Sequence, residues 1–307
     1  MSGELLSLLV ALMWTFTALF AEVASRRLGA LTLNVWRMLI TLALLAATLW
    51  FTCGSPWPQH VPPSAWGWLL GSGFMGFVFG DYCLFNSYMI IGSRFGQLFM
   101  TLASPFAAIT AWMLMGERMS WLALLGMAVT LSGISISIMG RDDGGHRRMK
   151  LPLRGVLLGI GAGMGQGVGL VFSKIGLQAY EAALPSTAAD VVMMMPFAGT
   201  MIRAMMGLLG FSIALMWTQQ THTMPRMWHD RRAAAAALGT ILLGPFLGVS
   251  LSLKAVGMTH AGVAQTLMSL TPVFILWPAH LMFGTKITWT EVVGAIIAVG
   301  GASLFFL

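Results

Sequence analysis

Charge is what this sequence has least of. Only 9% of its 307 residues are Asp, Glu, Lys or Arg, while 57% are apolar, against roughly a quarter charged in a soluble domain. Too few polar side chains remain to cover a water-facing surface, which excludes an ordinary soluble fold. With only Cys53 and Cys83, a disulfide framework is excluded as well. The spacing of His222, His229, His260 and His280 names no metal. Also missing are the G-x-x-x-x-G-K-[ST] nucleotide loop, H-E-x-x-H and G-x-S-x-G. Neither an ATP-driven machine nor an enzyme is expected, and no cofactor or metal is implied. The net charge of +7 raises the question of nucleic acid, but the basic residues are not gathered on a soluble domain, so no nucleic-acid partner is expected.

What the chain does have is long apolar runs. Crossing about 30 Å of hydrocarbon takes about 20 residues of helix, and segmentation at that length gives ten spans: 4–25, 30–51, 64–90, 94–116, 119–139, 154–178, 187–218, 235–256, 262–283 and 288–307. These runs are too long for barrel strands and lack alternating polarity, which leaves helices. The expected fold is an all-α integral membrane protein of ten transmembrane helices in the cytoplasmic membrane. Met1-Ser2-Gly3-Glu4 has no basic n-region, so the first run is expected to be a retained helix rather than a signal peptide. Lys and Arg sort by side. Arg26, Arg27, Arg94, Arg141, Arg147, Arg148, Lys150, Arg154, Arg226, Arg231, Arg232 and Lys286 share one side, against Arg118 and Lys254 on the other. The positive-inside rule then places both termini outside the cytoplasm and the 140–153 link inside.

The chain also repeats itself. Gly71, Gly76, Gly80, Gln97, Gly116, Trp121, Gly126 and Gly133 recur 168 residues later as Gly239, Gly244, Gly248, Gln265, Gly284, Trp289, Gly294 and Gly301. Thr101 and Ser269 extend the register, and Ser104-Pro105 matches Thr271-Pro272 with a slip of one. The polar stretch Gly140–Lys150 separates the copies, giving expected units of 1–139 and 154–307 around a 140–153 linker. Five spans per copy is an odd number, so the second enters the membrane from the opposite side. Inverted halves offer two packings of similar energy, the requirement for alternating access.

Trp14, Arg37, Ser104-Pro105, Gly116-Glu117 and the glycine-spaced fifth span, in that order, resemble the EamA-type pattern of the drug/metabolite transporter superfamily, in two repeats covering nearly the whole chain. The resemblance implies a ten-helix, substrate-translocating fold, often one that exports amino acids or other small metabolites. The second half departs from the pattern at Thr285, which stands where Glu117 stands in the first. It also implies cytoplasmic termini, opposite to the charge count.

Asp81 is the leading candidate for ion coupling. A carboxylate inside the third span costs a few kcal/mol by insertion scales and needs a cavity, a proton or a partner, and its counterpart in the second half is Val249. Arg203, mid-way along the seventh span, needs an anion: a substrate carboxylate or a protein acid such as Asp81 or Asp190. Arg37 is expected to snorkel to the interface, and Glu22 and Lys174 to lie there too. Gln97 and Thr101 share one helix face at i and i+4, as do Gln265 and Ser269, so the two stripes are expected to line a midplane pocket. Trp14, Tyr82, Phe85 and Asn86 are expected to add an aromatic wall and a polar handle. Pro105, Pro245 and Pro272 are expected helix bends. Gly159 and Gly163, then Gly165 and Gly169, form G-x-x-x-G spacings suited to close helix contact. The expected function is proton-coupled secondary transport of small organic metabolites, with protons and the lipid bilayer as partners. A passive facilitator and a membrane-embedded enzyme remain as alternatives, and the oligomeric state is open.

Overall fold

The computed structural model describes residues 3–116, 121–141, 147–149, 151–184, 189–258, 267–284 and 286–304. Helices α1 (Gly3–Leu28) and α2 (Ala30–Cys53) meet at Gly29, whose φ of 87° suits glycine. Helix α3 (Pro63–Gly73) runs into a π-helical segment, Phe74–Asp81, and on into α4 (Tyr82–Met100). Gly92, with φ 81° and ψ 160°, breaks α4 at the boundary expected between the third and fourth spans. Then come α5 (Ala103–Met115) and α6 (Trp121–Ile138).

Two short strands, β1 (Met139–Arg141) and β2 (Arg147–Met149), pair antiparallel in the linker region. They depart from an all-helix expectation because this stretch carries no apolar run to bury as a helix. The chain continues through α7 (Leu153–Ala183), α8 (Ala189–Trp217), a short α9 (Arg226–His229) and α10 (Arg231–Ile241). A second π-helical segment, Leu242–Phe246, leads into α11 (Leu247–Met258). Beyond it lie α12 (Thr271–Phe274), α13 (Leu276–Phe283) and α14 (Trp289–Ser303).

Six helical stretches are long and apolar enough to cross a membrane, and four shorter apolar helices accompany them among the described residues. Large apolar side chains face outward, among them Trp121 (76% exposed) and Trp289 (79%). Exposed on a soluble protein they would invite aggregation; here they are the lipid-facing surface of a multi-pass membrane protein.

Landmarks recur 168 residues apart. The π-helical segments begin at Phe74 and Leu242, the helices are interrupted at Thr101–Leu102 and Ser269–Leu270, and Gly116 (φ 67°, ψ 15°) and Gly284 (φ 64°, ψ 15°) are left-handed caps. The causes differ between the copies. Pro245 lies inside the second π segment and has no N–H for the helix ladder, whereas the first π segment contains no proline. Pro105 and Pro272 each sit just inside the helix that follows the interruption, where a missing donor costs little.

Packing runs across the sequence midpoint. Helix α1 lies on α10, the second π segment and α11, while α7 lies on α3, the first π segment, α4 and α5. Helix α2 pairs with α8, and α6 pairs with α14. The last pair is close because glycines face backbone. A Cβ on Gly133 would collide with the Ala298 amide nitrogen, and one on Gly301 with that of Thr130. Thr130 itself donates through Oγ1 to the carbonyl of Ala298, 168 residues away, at 3.4 Å.

Candidate functional site

The first π segment is pressed against α7 by small residues. Cβ atoms on Gly165 or Gly169 would lie 2.6 Å from the Met75 carbonyl oxygen or 3.0 Å from the Gly76 Cα, so the two backbones approach as only glycine allows. Between those glycines Gln166 projects across the contact. Its Nε2 donates to the Gly76 carbonyl at 3.1 Å and to Asp81 Oδ1 at 2.9 Å.

Asp81 is 3% exposed. Its second oxygen, Oδ2, receives Nη1 of Arg37 at 2.7 Å, forming an ion pair whose side chains are 8% and 4% exposed. Arg37 Nη1 also donates to Asn34 Oδ1 at 2.9 Å, one helical turn earlier, and Asn34 Nδ2 is held by the Ala30 carbonyl at 3.0 Å. The guanidinium lies 4.9 Å from the Phe85 ring centroid and 5.8 Å from that of Phe77. Arg203, on α8, stands 4.8 Å from the same Phe77 ring and within the field of Asp81. Gly76 makes room for it, because a Cβ there would sit 3.0 Å from Nη2 of Arg203.

Five elements thus converge on one carboxylate: α2, the first π segment, α4, α7 and α8. Burial of these charges is tolerated because the pair is bonded at both oxygens and flanked by aromatic faces. Removing Asp81 or Arg37 alone would leave the other's charge without its ion-pair partner in a low-dielectric interior.

Of the expected site residues, Asp81, Phe85 and Arg203 come together here. Tyr82 is 41% exposed, and Asn86 donates to the Tyr82 carbonyl of its own helix at 2.7 Å. Gln97 Nε2 donates to the Tyr88 hydroxyl at 2.7 Å, and Thr101 Oγ1 to the Leu98 carbonyl at 2.7 Å. Tyr88 stacks on Phe85 at 5.7 Å, so Gln97 reaches the cluster through two aromatic rings. Trp14 is half-buried against α11, its Nε1 2.8 Å from where a Cβ on Gly248 would lie. Ser269 is half-buried, and Gln265, Glu117 and Thr285 lie outside the described residues.

Two expectations are corrected. Arg37 does not snorkel: it is buried, its carboxylate partner Asp81 lies in the interior, and Phe85 and Phe77 flank its guanidinium. Glu22 is not interfacial either; it is 4% exposed. Its Oε2 accepts the Ser93 amide at 2.6 Å, just past the Gly92 break, and its Oε1 accepts Arg26 Nη2 at 2.9 Å. A carboxylate at that broken helix end satisfies an amide that the kink orphans. Asp190, the alternative partner for Arg203, is exposed near the start of α8, 13 residues before Arg203 and so about 20 Å away along the helix.

Ion pairs also tie helix ends together. Arg27 reaches Asp230 at 2.8 Å and Arg94 reaches Glu291 at 2.8 Å, at the end where Glu22 meets Ser93. These are the ends from which the basic connections leave.

A family model, the EamA-like transporter family, matches residues 1–139 and again residues 153–307. The chain belongs to the EamA-like transporter family. This EamA-like protein also resembles solved structures. One, described as "Crystal structure of protein", has a TM-score of 0.60 at 16% identity, covering 98% of this chain and 95% of that one. At that identity the likeness concerns the fold alone. No curated protein matches the EamA-like chain.

Sequence reasoning missed Gln166 and discounted Arg37. A signal for Gln166 existed, since it is the one amide in the run Gly159–Gly169 and therefore stands where two backbones touch. Nothing in the spacing of Arg37 and Asp81, 44 residues apart, announces their pairing.

Proposed function

We propose that this EamA-like transporter is a secondary active transporter. It moves small organic metabolites across the cytoplasmic membrane by alternating access and couples export to protons through Asp81. The observation that carries the reading is the buried Arg37–Asp81–Gln166 cluster. Gln166 ties the Arg37–Asp81 ion pair to α7, across the sequence midpoint, and a polar link at such a contact can be made in one packing and broken in another. Protonation of Asp81 removes its attraction for Arg37, which ties the proton to the packing of the bundle. Arg37, Arg203, Gln166 and, through Phe85, Tyr88 are the polar neighbours that set this balance.

The proposed architecture is ten spans in two inverted five-helix units, 1–139 and 154–307, around the 140–153 linker. The recurrence of π segments, helix interruptions and glycine caps at 168 residues supports it, as does the exchange of α1 and α7 between halves. Both termini are proposed to lie outside the cytoplasm, and fusions of a cytoplasm-active reporter to either terminus are expected to be silent. An active C-terminal reporter reverses the orientation.

The direct test is flux. Purified protein in liposomes, offered labelled amino acids, nucleosides and sugars, is expected to show saturable uptake that follows a pH gradient. Saturable flux blind to the gradient would indicate a passive facilitator, and no saturable flux at all would refute transport.

A further inference from the structure

The cluster around Asp81 is one negative charge short. Two guanidiniums, Arg37 and Arg203, share a single carboxylate. Arg37 takes it, at 2.7 Å, and has Asn34 as well. Arg203 has no ion pair among the described residues, and its Nε is sealed from solvent without a hydrogen-bond partner. Phe77 covers one face of the guanidinium at 4.8 Å, a contact that softens an unpaired cation without neutralising it.

Among the described residues no other acid forms an ion pair with Arg203. Glu22 holds Arg26, Asp230 holds Arg27, Glu291 holds Arg94, and Asp190 is exposed near the start of α8. A guanidinium does not shed its proton to escape burial. Arg203 and Gln166 each keep part of their residue surface, whereas Arg37 and Asp81 are buried. Gly76 and Gly73 keep the neighbouring wall free of side chains, and a Cβ on either would press on Arg203.

We propose that Arg203 is the receptor for the single negative charge of a monoanionic organic carboxylate. The inference rests on the transporter reading and narrows its substrate class. A guanidinium offers a planar fork that a carboxylate fits with two parallel hydrogen bonds. One such ligand brings the buried charge to zero, whereas a sugar or a zwitterionic amino acid leaves it at one positive. Selectivity for monoanions over both follows.

Thermal unfolding of the purified full-length protein in neutral detergent tests this without knowledge of the natural ligand. Wild type and Arg203→Met are melted in sodium chloride, then with sodium lactate, gluconate or benzoate at matched ionic strength, each beside its uncharged amide, and with alanine. The variant is expected to melt a few degrees above wild type when no carboxylate is present, because an unpaired buried cation is gone. Wild type is expected to gain stability with at least one carboxylate and with none of the amides, and the variant to gain none. A variant that melts below wild type means that Arg203 already has a fixed partner, which overturns the proposal. Equal shifts for acids and amides, or no shift with any acid, overturn it too. Counterflow separates the two readings: if wild type and Arg203→Met exchange a carboxylate equally well, the anion receptor falls and the transporter stands. Absence of counterflow by wild type for every solute offered removes the transporter.

Discussion

The two π segments occupy equivalent places in the chain and are built for different purposes. Around the first, Gly80 faces Gln166, and Asp81 follows it. Around the second, Gly248 faces Trp14, and Val249 follows it. The correspondence extends along the helices, since Phe172 meets Gly71 as Phe20 meets Gly239, and Thr17 meets Gly244 where Gly169 meets Gly76. The partners from α7 and α1 are offset by a constant 152 residues, so the same groove is filled twice by equivalent helices. One copy carries a carboxylate, an amide and two guanidiniums; the other carries an indole and an isopropyl group. The shared geometry is therefore what the backbone contact requires, and the charge is an addition to it.

That contrast can be broken at its strongest point first. Asp81→Leu leaves both guanidiniums without an anion and is expected to cost about 3–5 kcal/mol, read as a large drop in melting temperature in detergent. Placing a carboxylate in the other copy, Val249→Asp, adds a charge with no arginine to receive it and is expected to cost about 2.5–3.5 kcal/mol by insertion scales. A neutral Val249→Asp would mean that the second groove can also hold an anion. If Asp81 and Arg37 are a unit, the double variant Asp81→Leu, Arg37→Met is expected to melt closer to wild type than Asp81→Leu alone, while still failing to accumulate solute on a pH gradient.

Where the copies are alike, equal effects are expected. Gly133→Ala and Gly301→Ala each push a methyl into the backbone of the partner helix, for a cost of about 1–3 kcal/mol; unequal losses would mean that the α6–α14 contact is not symmetric. The smallest effect concerns the loop that opens α10. Asp230 accepts the amides of Arg232 and Ala233 at 3.0 Å each. The Ala233 amide and then Arg27 hold its carboxyl below the ordinary value of 3.8. A depressed carboxyl stabilises the fold above its unfolded pKa and loses that contribution as pH falls through the folded one. The stability gap between wild type and Asp230→Asn is thus expected to be full near neutrality and to close below pH 3.8.

Much of this contrast could be read from the residues. Length and hydropathy give the long helices, and the glycine register at 168 anticipates the π segments and the Gly116 and Gly284 caps, because glycines mark backbone that must approach or turn. The failure of Asp81 to recur as an acid singled it out. What stayed hidden depends on contacts between distant segments. Arg37 looked peripheral when counted along its own helix, since position in a span says nothing of which neighbour covers it. Glu22 looked interfacial for the same reason, until the Gly92 break brought an orphaned amide to it. Gln97 and Thr101 share a face as their spacing requires, but Tyr88 and the local backbone take their hydrogen bonds.

The central claim is that the unrepeated carboxylate sets coupling while the repeated scaffold carries movement. Asp81→Asn tests it most directly, since the amide keeps an oxygen for Arg37 or Gln166 but cannot take up and release a proton in the working pH range. In liposomes with a solute that wild type accumulates, the variant is expected to lose pH-gradient-driven accumulation and to retain exchange of labelled for unlabelled solute at equal pH. Accumulation by Asp81→Asn at the wild-type level would contradict the account.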